Sequence, residues 1–317
     1  MMKSASNGSI RGVIIRAAFI AAMLSLAAPA ALASSGPGVS GASFLSLPVG
    51  ARSIALGEAS AALANDPFTW LSNPGLMPMA AGNGVGAFHS QWALDTYYDN
   101  VIATGSINDL VSVGGAFTYF SSPDVQGFDD VGNRTTSVSS NSFQGVLGMG
   151  ISPMTGLGAG INVKYLQDKI ADWTARGWAV DIGAAWTAPV LGLTFGAAAQ
   201  NLGNDITFIE RSEKLPTSLR VGVSGAFSLV AGMPITVRLA ADVVKPRFED
   251  AYGCFGAEVD LRSTVFLRAG YTGDGARVGD RFSVGGGFKL FDRLALDYAW
   301  TPYGDLGSFS RISLFVR

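Results

Sequence analysis

Residues 281–300 read RFSVGGGFKLFDRLALDYAW, two alternating runs joined by a short turn. In the first run Phe282, Val284, Phe288 and Leu290 oppose Arg281, Ser283 and Lys289. After Phe291-Asp292, Leu294, Leu296, Tyr298 and Trp300 oppose Arg293, Asp297 and Ala299. Successive side chains on a strand point to opposite faces, so each run has one apolar face and one polar or small face. The pair reads as a β-hairpin. The same period recurs elsewhere. Trp178, Val180, Ile182, Ala184 and Trp186 oppose Ala179 and Asp181, and Leu219, Val221, Val223 and Phe227 oppose Arg220 and Ser224. Ile235, Val237, Leu239, Ala241 and Val243 oppose Thr236, Arg238 and Asp242, and Ile312, Leu314 and Val316 oppose Arg311 and Ser313.

Period two fits a soluble sandwich with its apolar face inside. It fits equally a transmembrane barrel with that face on lipid. Three features favour the barrel. The chain of 317 residues is 48% hydrophobic and only 15% charged, with 41 Gly, whereas soluble domains carry about 25% charged residues and roughly 7% Gly. Its polar faces are rich in Gly, Ala and Ser, unlike a water-facing exterior. Trp92, Tyr97, Tyr98, Tyr119, Phe120, Trp186, Tyr271, Trp300 and Tyr303 fall near strand ends, as an interfacial girdle places them. Residues 1–33 read as a secretory signal peptide: Lys3, Arg11 and Arg16 with no acid, an uncharged run over 17–33, and Ala31-Leu32-Ala33 before the cut.

A helical membrane protein is excluded by its breakers, because the uncharged stretches 67–94, 135–163 and 182–204 are interrupted by Pro, Asn, Ser and Gly. The pattern predicts an all-β, closed antiparallel barrel of about fourteen strands over 84–317. Closure leaves no backbone N–H or C=O unpaired in lipid. Connectors 121–141, 168–174, 202–216, 245–250, 273–279 and 302–307 are long and polar and alternate with short turns. Residues 34–83 are not strand-like. Residues 53–64 suit a short helix ended by Asn65-Asp66-Pro67, and Asn73-Pro74-Gly75 reads as a turn. This segment is expected to form a plug, or hatch.

Parity places Lys164, Asp181, Arg220, Arg238, Asp242, Glu258, Asp260, Arg268, Arg281, Lys289, Asp297 and Arg311 in the lumen. Acids and bases are nearly balanced there, which favours a paired network that holds wall and hatch together over a cargo track. Arg52 is expected to pair with one of these acids. No catalytic, cofactor or metal constellation emerges: there is one His (His89) and one Cys (Cys254), so neither a triad nor a metal cluster is supplied. The glycine strings at 156–160 and 285–287 lack a phosphate-loop Lys-Ser/Thr and read as places where a strand bends or a plug nears the wall. A net charge of −2 gives no reason to expect nucleic acid.

The run Phe44-Leu45, Gly50-Ala51-Arg52, Gly57, Asp66, Asn73-Pro74 resembles the N-terminal signature of the PorV/PorQ family, a branch of the FadL-like outer-membrane barrels. Further similar pieces follow in family order: Gln200-Asn201-Leu202-Gly203, Leu219-Arg220-Val221-Gly222, Leu267-Arg268-Ala269-Gly270-Tyr271 and Leu296-Asp297-Tyr298-Ala299-Trp300. Two departures are Gly75, where the family has Ala, and Arg317, where it ends on an aromatic. The resemblance implies a fourteen-strand barrel in the bacterial outer membrane, in contact with outer-membrane lipid, with Gly50, Ala51, Arg52, Gly57, Asp66, Asn73 and Pro74 as hatch signature. It implies a binding and shuttling role in type IX secretion, with translocon components, surface-attachment components and exported cargo proteins as partners, and no enzyme activity. The alternative is a FadL-like transporter of hydrophobic small molecules, with an apolar pocket near Phe44, Leu45, Leu47, Phe68, Trp70 and Leu71.

Overall fold

A computed structural model describes residues 40–80, 82–92, 95–189, 192–209, 212–228, 233–273, 281–291, 293–304 and 307–317. The signal-peptide expectation for 1–33 lies outside these residues. Fourteen strands close into one antiparallel barrel. They are Gly84–Gln91 (β1), Tyr97–Ser106 (β2), Val111–Val125 (β3), Val138–Met154 (β4), Leu157–Ile170 (β5), Trp173–Ala188 (β6) and Leu193–Gly203 (β7), then Ser218–Ser228 (β10), Ile235–Pro246 (β11), Tyr252–Leu261 (β12), Val265–Thr272 (β13), Phe282–Leu290 (β14), Leu294–Pro302 (β15) and Ser308–Val316 (β16). A small pair, Ile206–Thr207 (β8) with Ser212–Glu213 (β9), stands in the connector between β7 and β10. Each barrel strand pairs with its sequence neighbour, and β1 closes on β16, where Ala87 faces Leu314.

The apolar rows point outward. Leu147, Val221, Leu267, Val284 and Leu314 are exposed on the outer wall, while the alternate positions Asn162, Asp181, Asp242 and Glu258 are at most 1% exposed inside. This is the inverse of a soluble sandwich. A row of outward rings crosses four strands, Phe117, Phe143, Tyr165 and Trp178, with centroids 6.1, 6.1 and 5.1 Å apart.

Four of the aromatics expected in a girdle turn inward instead. Tyr98 is 4% exposed and packs on Phe88 and Phe120, and Trp92 packs against the Phe309–Tyr303 ring pair. Strand parity, not nearness to a strand end, decides which way a ring faces. The connectors expected at 121–141 and 168–174 are shorter than the sequence suggested, because β3 runs on to Val125, β4 starts at Val138, and only residues 171–172 separate β5 from β6. Polar Ser and Asn residues there carry ladder hydrogen bonds, so polarity did not mark a loop.

Residues 40–80 fill the lumen. The helix expected over 53–64 is reduced to Ala51–Ala55 (α1), followed by turns and short 3-10 segments at Thr69–Leu71 and Pro74–Met79. The helix stops because Gly57 takes φ +64° with its backbone against the wall at Phe255 and Tyr271. In addition, the amides of Ser60 and Ala61 are held by a wall carboxylate instead of helical carbonyls. Asn73 does more than turn: its side chain accepts from Gly75 N at 3.0 Å and caps the segment that Pro74 opens.

Candidate functional site

The hatch is pinned by charged and polar wall side chains at three levels. Nearest the rim with short turns, the Arg52 guanidinium donates to both oxygens of Glu258 at 2.8 and 2.8 Å, with Asp66 3.7 Å away. Glu258 also takes Arg268 at 2.7 Å and Arg238 at 3.3 Å, and Arg268 reaches Asp297 at 2.6 Å. Register explains this cluster: Arg238, Glu258 and Arg268 are direct cross-strand partners on β11, β12 and β13. Arg268 then spans β14 to Asp297 over Gly287, where a Cβ would collide with both groups. Burial opposes the Arg52 charge, yet the neighbouring Glu258 carboxylate raises its pKa above the ordinary arginine range. Burial likewise pushes the Asp66 carboxyl up, against the pull of Arg52 and the Phe68 amide.

At the middle level one oxygen of Asp242 accepts the amides of Ser60 and Ala61, each at 2.8 Å, and Arg220 Nη1 at 3.0 Å. The same Arg220 nitrogen donates to Glu58 O at 2.6 Å, and Ser224 Oγ donates to Ala62 O at 2.6 Å. On the opposite wall Asn73 Nδ2 donates to Ala61 O at 2.6 Å and Ala184 O at 3.1 Å, and Asn162 Nδ2 donates to Trp70 O at 3.0 Å. At the third level Gln200 Nε2 donates to Leu71 O at 3.3 Å, beside a cluster within the wall itself in which Lys164 Nζ bridges Asp181 at 2.7 Å and Asn201 Oδ1 at 2.8 Å. Asn201 itself bulges from β7 at φ +56°, with its amide on Asp181 at 2.8 Å.

Wall glycines let the hatch backbone touch the barrel. A Cβ on Gly196 would meet Ala61 O, on Gly183 Asn73 Oδ1, on Gly160 Pro74 O, and on Gly270 Gly57 N. Ala51 N donates to Ser313 Oγ at 2.7 Å. Gly50, at φ +95°, opens α1. Of the hatch-signature residues, Ala51, Arg52, Gly57, Asn73 and Pro74 touch the wall, whereas Gly50 and Asp66 contact other hatch residues.

Of the charges assigned to the lumen, Asp260 and Lys289 line a cavity at the short-turn rim, and Arg311 donates to Thr301 Oγ1 at 2.8 Å with its guanidinium 5.3 Å from the Trp92 ring centroid. Arg281 departs from the assignment. It is exposed at the opposite rim and donates to the hydroxyl of Tyr271 at 3.1 Å, a ring that packs on the outward Phe282. Arg281 stands one residue before β14 begins, and a long side chain at such a strand end can bend over the rim.

Among the described residues, two larger cavities flank the hatch and share no lining residue. The upper one, on the side of the long connectors, has a volume of about 340 Å³ and is lined by Leu45, Leu47, Val49, Leu71, Trp92 and Tyr98, with Lys164, Asn201 and Arg220 among its polar groups. Of the residues expected around an apolar pocket, Leu45, Leu47 and Leu71 line it. Phe44 packs instead with Leu166, Ile206 and Leu215, and Phe68 and Trp70 are 3% and 0% exposed in the core between hatch and wall. Sequence reasoning missed Trp92, Tyr98, Tyr252 and Tyr303. Alternation gave a signal for Tyr98 alone, which shares its face with Asn100 and Ile102. The lower cavity, at the short-turn rim, has a volume of about 270 Å³. Among the described residues no helix is long and apolar enough to cross a membrane, and no group of His, Cys, Asp and Glu could hold a metal ion.

No protein-family model matches the sequence, and neither does any curated protein. Solved structures do match in fold. The Pseudomonas putida toluene transporter TodX superposes with TM-score 0.57 at 12% identity, covering 83% of this chain and 96% of that one. A TodX mutant described as a monoaromatic hydrocarbon channel gives 0.61 at 13%, covering 84% and 97%. A Pseudomonas aeruginosa FadL homologue gives 0.52 at 10%, covering 85% and 98%. The chain thus has the fold of FadL-type outer-membrane channels, a closed fourteen-strand barrel with a short helical segment on its N-terminal side.

Proposed function

We propose that the chain is an outer-membrane channel for hydrophobic small molecules and not an enzyme, with the upper cavity as its entry site. The observation that carries this reading is a cavity directly above a hatch that closes its floor, with an apolar and aromatic side (Leu45, Leu47, Val49, Leu71, Trp92 and Tyr98) facing a polar one that holds Lys164, Asn201 and Arg220. Its volume of about 340 Å³ falls at the lower end of the range of ligand pockets, roughly 300–1,000 Å³, and suits a monoaromatic or short aliphatic compound. The solved neighbours named for toluene and monoaromatic hydrocarbons lend this support. On this reading 1–33 direct export, 34–83 form the hatch, 84–317 span the outer membrane in contact with its lipid, and the short turns face the periplasm, as is usual for such barrels. Passage then requires the hatch to shift.

Uptake of labelled toluene by cells making the protein, in a host without such a channel, tests the reading. Leu47→Trp, which fills the cavity, is expected to cut uptake at least fivefold with barrel abundance unchanged. Equal uptake with and without the protein would overturn it.

The shuttling of exported proteins implied by the PorV/PorQ resemblance is the second reading. One observation favours it. The hairpins β3–β6 have 14–17 residues per strand, beyond the ~9–11 that a tilted strand needs to cross a bilayer. Their upper ends expose Val125, Phe128, Val131 and Val138. Co-purification with a large translocon barrel or surface-attachment proteins from solubilised outer membranes would support this reading over transport.

A further inference from the structure

The lower cavity has a chemistry unlike the upper one. Six basic residues line it, Arg52, Arg238, Arg268, Lys289, Arg293 and Arg317, against three acids, Glu258, Asp260 and Asp297. Two of the acids are held by arginines and the third, Asp260, by a backbone amide. Glu258 is shared by Arg52, Arg268 and Arg238, Asp297 is held by Arg268 at 2.6 Å, and Asp260 Oδ1 accepts the Ser263 amide at 2.6 Å. Because Arg52 and Arg268 take the short contacts to Glu258, Arg238 is left at 3.3 Å, its sole ion-pair partner among the described residues. Its side chain is 22% exposed into the cavity. Arg293 and Arg317 have no ion-pair partner among the described residues and stand exposed at the mouth. Counting Asp66 behind Arg52 as a fourth acid, the described side chains still carry two more positive than negative groups.

A guanidinium presents parallel donors that match a carboxylate, and a concave site of one sign concentrates the opposite ion. Apart from Asn65 and Ser263, the rest of the lining is apolar. The Phe266 ring lies 5.3 Å below the Arg268 guanidinium, and Ala295 and Phe315 face the same space. We infer that the lower cavity is a binding site for a small organic carboxylate: Arg238, Arg293 and Arg317 receive the carboxylate, and Phe266 and Phe315 cover its apolar body. The inference does not rest on the transport reading, because the hatch separates this site from the upper cavity.

Isothermal titration of the purified full-length protein in detergent tests it. Benzoate is the probe, benzyl alcohol its neutral counterpart of similar shape, and inorganic phosphate the bare anion. Benzoate is expected to bind at least tenfold more tightly than either. Arg238→Gln is expected to weaken benzoate tenfold or more, and Arg293→Ala threefold or more, while Leu47→Trp in the upper cavity leaves its Kd within twofold. Arg293 is exposed, so its variant decides the matter if Arg238→Gln does not assemble into a barrel. Absence of benzoate binding, equal affinity for benzoate and benzyl alcohol, phosphate as tight as benzoate, or a loss on Leu47→Trp with none on Arg293→Ala would each overturn the inference.

Discussion

Asp242 holds two hatch amides and one guanidinium on a single oxygen, and it is 1% exposed. Removing the carboxylate frees two buried N–H donors and leaves Arg220 without its ion-pair partner. Such losses cost about 3–5 kcal/mol for a broken buried pair and about 1–3 kcal/mol for each orphaned donor. Asp242→Ala is therefore expected to lower the temperature at which the folded barrel loses its fast gel mobility, and to expose 57–64 to protease. Arg52→Ala is milder for the wall. Glu258 keeps Arg268 and Arg238, so the cost stays below the ~3–5 kcal/mol of a fully broken pair. The hatch, however, loses its bidentate tie, and protease cleavage within 51–66 is expected to quicken while barrel mobility changes little. An unchanged cleavage rate would show that Arg52 does not anchor the hatch.

Among the elements, the wall glycines and the Asp129 turn separate packing from local chemistry. A methyl on Gly196 or Gly270 would land on hatch backbone, which cannot yield as a side-chain tip can. Overpacking of this kind typically costs ~1–3 kcal/mol. Gly145, with nothing within 4 Å of a built Cβ, is the control. Gly196→Ala and Gly270→Ala are expected to loosen the hatch and lower thermal resistance, and Gly145→Ala to leave both unchanged. In the long connector, the Asp129 carboxylate accepts the amides of Val131 at 3.0 Å and Asn133 at 2.7 Å and the Asn133 side-chain amide at 2.9 Å. These bonds, the Asn133 side chain first, lower its pKa from the ordinary 3.8. A depressed carboxyl pKa means that the turn gains its full stabilisation above about 3.8 and loses it as pH falls through the lower folded value. Protection of the amides at 131–133, taken relative to the intrinsic exchange rate at each pH, should therefore hold at pH 5 and fall only well below pH 4, and Asp129→Asn should weaken that dependence. The strands were legible in the sequence because period two survives wherever one face meets lipid. The hatch was not. Its amides and carbonyls find partners far along the chain, Ser60 with Asp242 at a separation of 182 residues and Thr272 with Gly57 at 215, so no local period records them. Arg281, which parity assigns to the lumen, instead reaches the Tyr271 hydroxyl at the rim.

For the whole molecule, the question is which solvent the outer wall is built for. The upper cavity could not be foreseen because it forms only on closure. Trp92, beyond the end of β1, meets Phe309 of β16 at 5.0 Å and Tyr303 at 6.1 Å, across a seam that joins the two ends of the barrel sequence. Closure also leaves the outward rows without any protein to cover them. Leu147 is 75% exposed, midway on its face between the aromatic row at Phe143 and Ile151. In water such rows would drive aggregation, whereas in hydrocarbon they are at rest, and a cation placed there must give up its hydration. Leu147→Arg is expected to destabilise the barrel refolded in lipid vesicles by about 2–4 kcal/mol, the midplane penalty for Arg on a barrel's lipid face. The same substitution at Val131, 81% exposed in the long connector, should cost close to nothing. Urea titration of vesicle-refolded protein reads both. Equal stability of Leu147→Arg and Val131→Arg would mean that the outer wall at Leu147 does not face hydrocarbon, and the assignment of the whole exterior would fall with it.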